Sequence, residues 1–391
     1  MRVADVSAFY TPVGGGVRTY VDRKLAYAEQ AGIDLAVIVP GADDGIEERG
    51  RHARLIRIAS PHLIFDRRYR YFASPAAVHA ALDAFAPDFV EASSPWRTAS
   101  IVADWAGTAP RALVMHADPL AAYAYRWFGN VARRDTIDRG FEWYWAHLRR
   151  AASRYDLIVS ANSGLTARLT AGGIRRAATI AFGVDPNVFS ARLRNEAVRR
   201  ELLASCGLGD AALLLVGVGR QSPEKRWGTV IEAAGVAGLQ CRVGLVLVGE
   251  GRDHAKLVRQ IGSNPHVRMV RPTRSREEMA ILLASADALI HGCEAETFGL
   301  VAAEAVASGL PLIVPDEGGA ADQGCADRAE FYRAGDVAAA AAAIARLAGR
   351  DRAALRAAAA CAAMQVRTLD DHFDELFMRY RQLSARPALL A

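Results

Sequence analysis

Lysine is scarce in this chain: among 48 basic residues only Lys24, Lys225 and Lys256 carry an ammonium, and the rest are arginines. The 5 cysteines (Cys206, Cys241, Cys293, Cys325 and Cys361) are odd in number, lie in the second half and form no CxxC pair. That argues against a disulfide framework and against a zinc site. No stretch approaches the roughly 18 to 20 uninterrupted apolar residues of a membrane span. The opening MRVADVSAFY enters a strand-like pattern with no charged region followed by an apolar one, so no signal peptide is visible and a cytoplasmic location is expected. The net charge of +5 is modest and no nucleic-acid recognition motif accompanies it, so nucleic acid is not expected as a partner.

What is present is ordinary for a folded globular chain, 52% apolar and 23% charged over 391 residues, a length that suits two domains. Short β-branched runs alternate with longer amphipathic stretches, which predicts parallel strands joined by crossover helices. Strands are expected at 3–7, 35–39, 55–58, 88–92, 112–115 and 156–160, and a second set at 213–219, 244–249, 267–270, 286–290 and 311–314. The fold class is therefore α/β, with two doubly wound sheets and ligands expected at the carboxyl ends of their strands, in a central cleft if the two domains face each other. GVDPNVF at 183–189 punctuates the chain with Gly and Pro between periodic segments. Domains are expected at 1–184 and 185–365, with 366–391 as a terminal helix whose Phe373, Phe377 and Tyr380 recur at helical intervals.

Four stretches carry chemistry. FYTPVGGGVRTY sets Gly14, Gly15 and Gly16 between the first strand and a helix running to about Gly32. Glycines let the backbone approach a bound group, and the helix start offers unpaired N–H donors to an anion; a tight turn would use the same residues. It is not GxGxxG and the second strand ends in Pro40-Gly41 without an acidic residue for an adenosine ribose, so a dinucleotide cofactor is disfavoured. GVGRQSPEKRW places Arg220 and Lys225 on the loop leaving a strand, where they suit phosphate oxygens or, equally, a solvated loop. HGCEAETFGLVAAEA sets Glu296 just ahead of a helix and Glu304 about two turns inside it, with the N–H groups of Phe298, Gly299 and Leu300 at the helix start. Carboxylates accept from sugar hydroxyls, and the neighbours Val301, Ala302, Ala303, Ala305 and Val306 are too apolar for a solvated face. VMHADP sets His116 after a strand, as a core histidine or as a ligand contact.

In their order, GGGVRTY, GVDPNVF, GRQSPEKRW, LVGEG, ETFGLVAAEAVASGLPLIV and the later Gly318-Gly319 resemble the retaining nucleotide-sugar glycosyltransferases of family 4, whose GT-B fold has two facing Rossmann-like domains. The resemblance implies a hexose of mannose or glucose type, moved from a GDP- or UDP-linked donor with retention to a glycan or lipid-linked acceptor in surface polysaccharide or glycolipid synthesis. It implies that Glu296 contacts the transferred sugar, Glu304 the nucleotide ribose, and Arg220 with Lys225 the diphosphate. Gly15 and Gly16 would face that diphosphate from the first domain, His116 would stand beside the sugar, and the terminal helix would return toward the first domain. No aspartate-x-aspartate occurs, so no metal and no other cofactor is expected, the two cations serving in its place. VRPTRS replaces the family's glycine-containing loop near the base, which leaves the nucleotide open.

The first 184 residues hold 23 basic against 18 acidic residues and five of the six tryptophans, Trp96, Trp105, Trp127, Trp143 and Trp145. DRRYRYF, RWFGNVARR and FEWYWAHLRR interleave arginine with aromatic residues, a composition suited to an anionic membrane surface or to an ordinary arginine-rich exterior. A peripheral contact with the inner face of the plasma membrane is one expectation from them. Two other functions share the scaffold: a nucleotide-sugar epimerase or hydrolase, which needs a further acid and base pair, and a non-catalytic nucleotide-sugar binder.

Overall fold

The computed structural model describes all residues except 12–15, 65, 66, 68, 117, 129, 130, 186, 274 and 386–391, and of 122 and 126 the backbone only. Gly15 lies outside the described residues, as do Gly14 and parts of the two arginine-aromatic stretches at 66–72 and 126–134.

The central apolar runs, such as residues 35–39 and Val243–Val248, become strands buried on both faces, as helices on a parallel sheet require. The first sheet contains β1 (Arg2–Val6), β2 (Asp34–Gly41), β3 (Gly45–Glu48), β4 (Ala53–Ala59), β5 (Phe89–Ala92), β6 (Arg111–Met115), β7 (Leu157–Ser160) and β8 (Ala177–Thr179). The second contains β9 (Leu213–Val218), β10 (Val243–Val248), β11 (Val267–Val270), β12 (Ala288–Ile290), β13 (Leu312–Pro315) and β14 (Ala329–Tyr332). Their orders are β3-β4-β2-β1-β5-β6-β7-β8 and β11-β10-β9-β12-β13-β14, parallel throughout except for β3 against β4. The strands β3, β8 and β14 were not expected from sequence; GIEE is polar and half-exposed at a sheet edge, so it carries no buried-strand signal.

The chain divides into two compact units, one of residues 1–118, 127–181 and 370–391, the other of 119–126 and 182–369. In the first, the helix Leu369–Ser384 packs Tyr380 flat on Phe89 with ring centroids 4.0 Å apart, and the Tyr380 hydroxyl donates to Glu91 at 2.6 Å. Beneath it Lys24 donates to Asp5 at 2.8 Å and to Glu91 at 2.5 Å, all three side chains fully buried. In the second unit Asp287 gathers Arg199, Arg194 and Arg356 and accepts from the Leu214 N–H, which ties the helix Glu196–Ser205 to the sheet.

Candidate active site

In the second sheet the strand order reverses between β9 and β12, and ligands of open α/β sheets bind at such a switch point, beyond the carboxyl ends of the strands. The loops leaving these two strands carry Lys225 and Glu296, and their side chains form an ion pair. Both are largely buried, at 14% and 20% side-chain exposure. Burial alone would raise the Glu296 carboxyl, yet the Lys225 ammonium and the His291 imidazole outweigh it and hold the carboxyl well below its ordinary value. Burial likewise opposes the Lys225 charge, and Glu296 more than restores it, so that ammonium is raised. Lys225 has three N–H donors, and its bond to Glu296 leaves donors for a ligand.

His291 is a site neighbour that sequence reasoning passed over although it stands at the head of the quoted motif. Its side chain is 1% exposed, its Nε2 lies 3.4 Å from Glu296 Oε1, and its carbonyl accepts from the Tyr332 hydroxyl at 2.5 Å. Its position after an apolar strand was the available signal. His291, Cys293 and Glu296 bring potential ligand atoms within 4.8 Å of one another. Burial pushes the Cys293 thiol up to about 12, so without a bound cation it is a thiol at neutral pH.

Gly299 caps the helix Leu300–Ala307 in the left-handed region with φ 75°, and a Cβ there would meet the Ala320 backbone N at 2.7 Å. Glycine is thus required at the helix start, where no side-chain cap occupies the first N–H groups, which have no partner within the helix. Phe298 is buried and packs edge-on to Phe182 at 5.7 Å, and Leu300 opens the helix. Glu304 sits one turn inside that helix rather than two, because the helix begins at Leu300. It is buried, and burial raises its carboxyl to about 7, with Arg276 at 3.7 Å opposing and Asp185 adding to the shift.

Arg220 differs from Lys225: its side chain is 61% exposed and pairs with Glu224 at 3.4 Å. The loop is closed behind it by the Trp227 indole, which donates to the Arg220 carbonyl at 2.9 Å. In the first unit Gly16 is the exposed first residue of the helix Gly16–Ala31. His116 follows β6 and meets the Tyr20 ring edge-on at 4.8 Å. Burial lowers its imidazole to about 4, Asp5 opposing, so it is neutral at physiological pH. Tyr20 is held in turn by His372: the His372 Nδ1–H donates to the Ala181 carbonyl at 2.9 Å, which leaves Nε2 to accept from the Tyr20 hydroxyl at 3.0 Å.

Two Rossmann-like units, one ending its switch-point strands in a cation–carboxylate pair beside an open helix start, have the architecture of the GT-B nucleotide-sugar glycosyltransferases. Comparison with known proteins is specific. Residues 14–188 match the model of Glycosyltransferase Family 4 and residues 199–360 that of Glycosyl transferases group 1. A GDP-mannose-dependent alpha-(1-6)-phosphatidylinositol dimannoside mannosyltransferase of Mycobacterium tuberculosis is 31% identical over 80% of this chain and 79% of its own length. A GDP-mannose-dependent alpha-mannosyltransferase of the same species is 30% identical over 82% and 81%. Among solved structures, sucrose-phosphate synthase of Thermosynechococcus elongatus superposes with a TM-score of 0.79 at 18% identity, covering 98% of this chain and 99% of that one, a likeness of fold. The chain belongs to the nucleotide-sugar glycosyltransferases of family 4, and the reading as a non-catalytic binder is set aside.

Proposed function

We propose that the protein transfers a hexosyl group, with retention of anomeric configuration and without a metal, from a nucleoside diphosphate sugar to a lipid-linked or glycan acceptor in glycolipid or surface polysaccharide synthesis. GDP-mannose is the donor favoured by the relatives, whose names specify it; the sequence alone left GDP or UDP, and mannose or glucose, open. The observation that carries the reading is the buried Lys225–Glu296 pair at the β9/β12 switch point, beside the helix start at Gly299.

As the bond from the sugar C1 to the diphosphate oxygen breaks, its electron pair stays with the diphosphate. Lys225 and the N–H groups at Phe298, Gly299 and Leu300 are fixed beforehand where that charge develops, so they stabilise the transition state more than the bound donor. Arg220 joins them by leaving Glu224, which its exposure permits. Removing one such donor costs on the order of 3 to 4 kcal/mol in comparable electrostatic sites. The acceptor hydroxyl oxygen bonds to C1 and gives its proton to the departing phosphate oxygen. Glu296, ionised through Lys225, accepts from hydroxyls of the sugar, and Glu304 from the ribose. His116, neutral at physiological pH, is assigned to the same reaction by the family pattern, as are Gly15 and Gly16 to the diphosphate. In this reading the cations take the charge role of a metal.

The acceptor reading draws on an aromatic tract of the first unit. Trp127 and Trp143 are 59% and 61% exposed and are linked through Phe128 and Phe141 at ring distances of 6.3 to 6.5 Å, with exposed Arg133, Arg134, Arg139 and Arg150 nearby in sequence. Indole rings suit headgroup depth and arginines suit anionic lipid, which favours work at the inner face of the plasma membrane. No helix among the described residues is long and apolar enough to cross a membrane. The deciding experiment incubates the protein with GDP-mannose, GDP-glucose or UDP-glucose, with and without a membrane lipid extract, with and without chelator. Nucleoside diphosphate release that requires the extract and survives chelation supports the proposal; release without acceptor indicates hydrolysis, and no release with any donor overturns it.

A further inference from the structure

We propose that Arg226 and Glu294 are positioning residues for the donor site, their two-point ion pair clamping the loop that carries Lys225 to the loop that carries Glu296. The inference rests on the reading of Lys225 and Glu296 given above and assigns work to two residues to which that reading gives no part.

Arg226 has φ 48° and ψ 34°, one of two described non-glycine residues in the left-handed region. A side chain is sterically costly there and glycine is not. An observed outlier of this kind beside a functional loop calls for a compensating contact. The contact is present: Arg226 Nε donates to Glu294 Oε2 at 2.7 Å, and its Nη2 donates to Glu294 Oε1. The two side chains are only 25% and 11% exposed, and the planar fork of arginine fixes direction as well as distance. The bond to Glu294 raises the guanidinium above its ordinary value, so the fork is charged at any working pH.

The position of the pair in the two loops is the second argument. Arg226 directly follows Lys225, and Glu294 precedes Glu296 by two residues, so two ion pairs cross between the same loops. The backbones touch as well: a Cβ on Gly292 would lie 2.6 Å from the Lys225 carbonyl oxygen and 3.3 Å from that of Arg226. On its other side the Glu294 loop is braced by Gly319, whose N–H donates to the Glu296 carbonyl at 2.7 Å. Gly335, after β14, leaves room for the guanidinium, since a Cβ there would meet Arg226 Nη1 at 3.1 Å. Glu294 thus has its own cation. Without Arg226 its carboxylate would lose its partner two residues from Glu296 and the loop would lose its two-point anchor, and a displacement of about 1 Å at a reacting centre can cost about 100-fold.

The test compares Arg226→Gly, Arg226→Lys, Glu294→Gln and the double variant Arg226→Gly/Glu294→Gln with Lys225→Ala, each as the purified full chain, in acceptor-dependent nucleotide release. Arg226→Gly is expected to lower kcat about 10- to 100-fold with the donor KM within about threefold, while its melting temperature stays within a few degrees, because glycine relieves the φ strain. Arg226→Lys should recover part of the loss, and the double variant should be no slower than Arg226→Gly, since both remove one interaction. A kcat within twofold of wild type in Arg226→Gly, with Lys225→Ala inactive, overturns the proposal and leaves the donor site intact. Lys225→Ala at wild-type turnover overturns the donor site itself and this inference with it. Should Arg226→Gly not fold, Glu294→Gln, of unchanged size, decides by the same kcat criterion.

Discussion

Lys225 and Glu296, 71 residues apart in sequence, meet as an ion pair at the carboxyl ends of two adjacent parallel strands. Neither is held by its own loop alone, and each sets the charge state of the other. Lys225→Ala and Glu296→Ala should each lower acceptor-dependent transfer by about 100-fold or more while circular dichroism and gel filtration remain unchanged. Turnover near wild type in either variant would remove the assignment of this pair to the donor.

Glu304 offers a pH test. Its carboxyl is raised from 4.5 to about 7 in the folded protein, so between those values the unfolded chain binds fewer protons and stability falls as pH rises through the window. Ribose hydroxyls donate to the ionised form, so binding of the nucleotide should release a proton near pH 6.5, and affinity should rise from pH 6 toward pH 8. Calorimetry in two buffers of different ionisation enthalpy measures that proton. Glu304→Gln should abolish the release, and an unchanged release in that variant would show another group to be responsible.

The buried Lys24 faces two carboxylates, and a methionine of similar length cannot neutralise them. Lys24→Met should destabilise the chain by about 3 to 5 kcal/mol, the usual result of stranding buried charge. Chemical denaturation measures it, and a loss under about 1 kcal/mol would mean that Asp5 and Glu91 share a proton instead.

The aromatic tract predicts binding to anionic vesicles that weakens with salt. Wild-type protein should co-sediment with phosphatidylglycerol liposomes at low ionic strength and be released at about 0.5 M salt, and Trp127→Ser/Trp143→Ser should reduce the bound fraction several-fold. No sedimentation of the wild-type protein at low salt would end the membrane reading.

Much of the fold was legible because central parallel strands read as near-continuous apolar runs: the expected 213–219 and 244–249 correspond to Leu213–Val218 and Val243–Val248. The missed strands β3, β8 and β14 are short pieces at or near sheet edges, where one neighbour or a few residues suffice and composition carries little signal. In the site, the glutamates and Lys225 were visible from local motif, since residue type and loop position after a strand are properties of the chain itself.

What the sequence determined by itself was the alternation of the central strands with helices, the family and the residue types available at each loop, because periodicity and spacing act over a few residues. Only the tertiary structure decided which charges neutralise one another. Lys225 with Glu296, Arg226 with Glu294, and Lys24 with Asp5 and Glu91 are all pairs distant in sequence. Their partners follow from which strands lie side by side, and that is set by packing of the whole sheet, which no local stretch encodes.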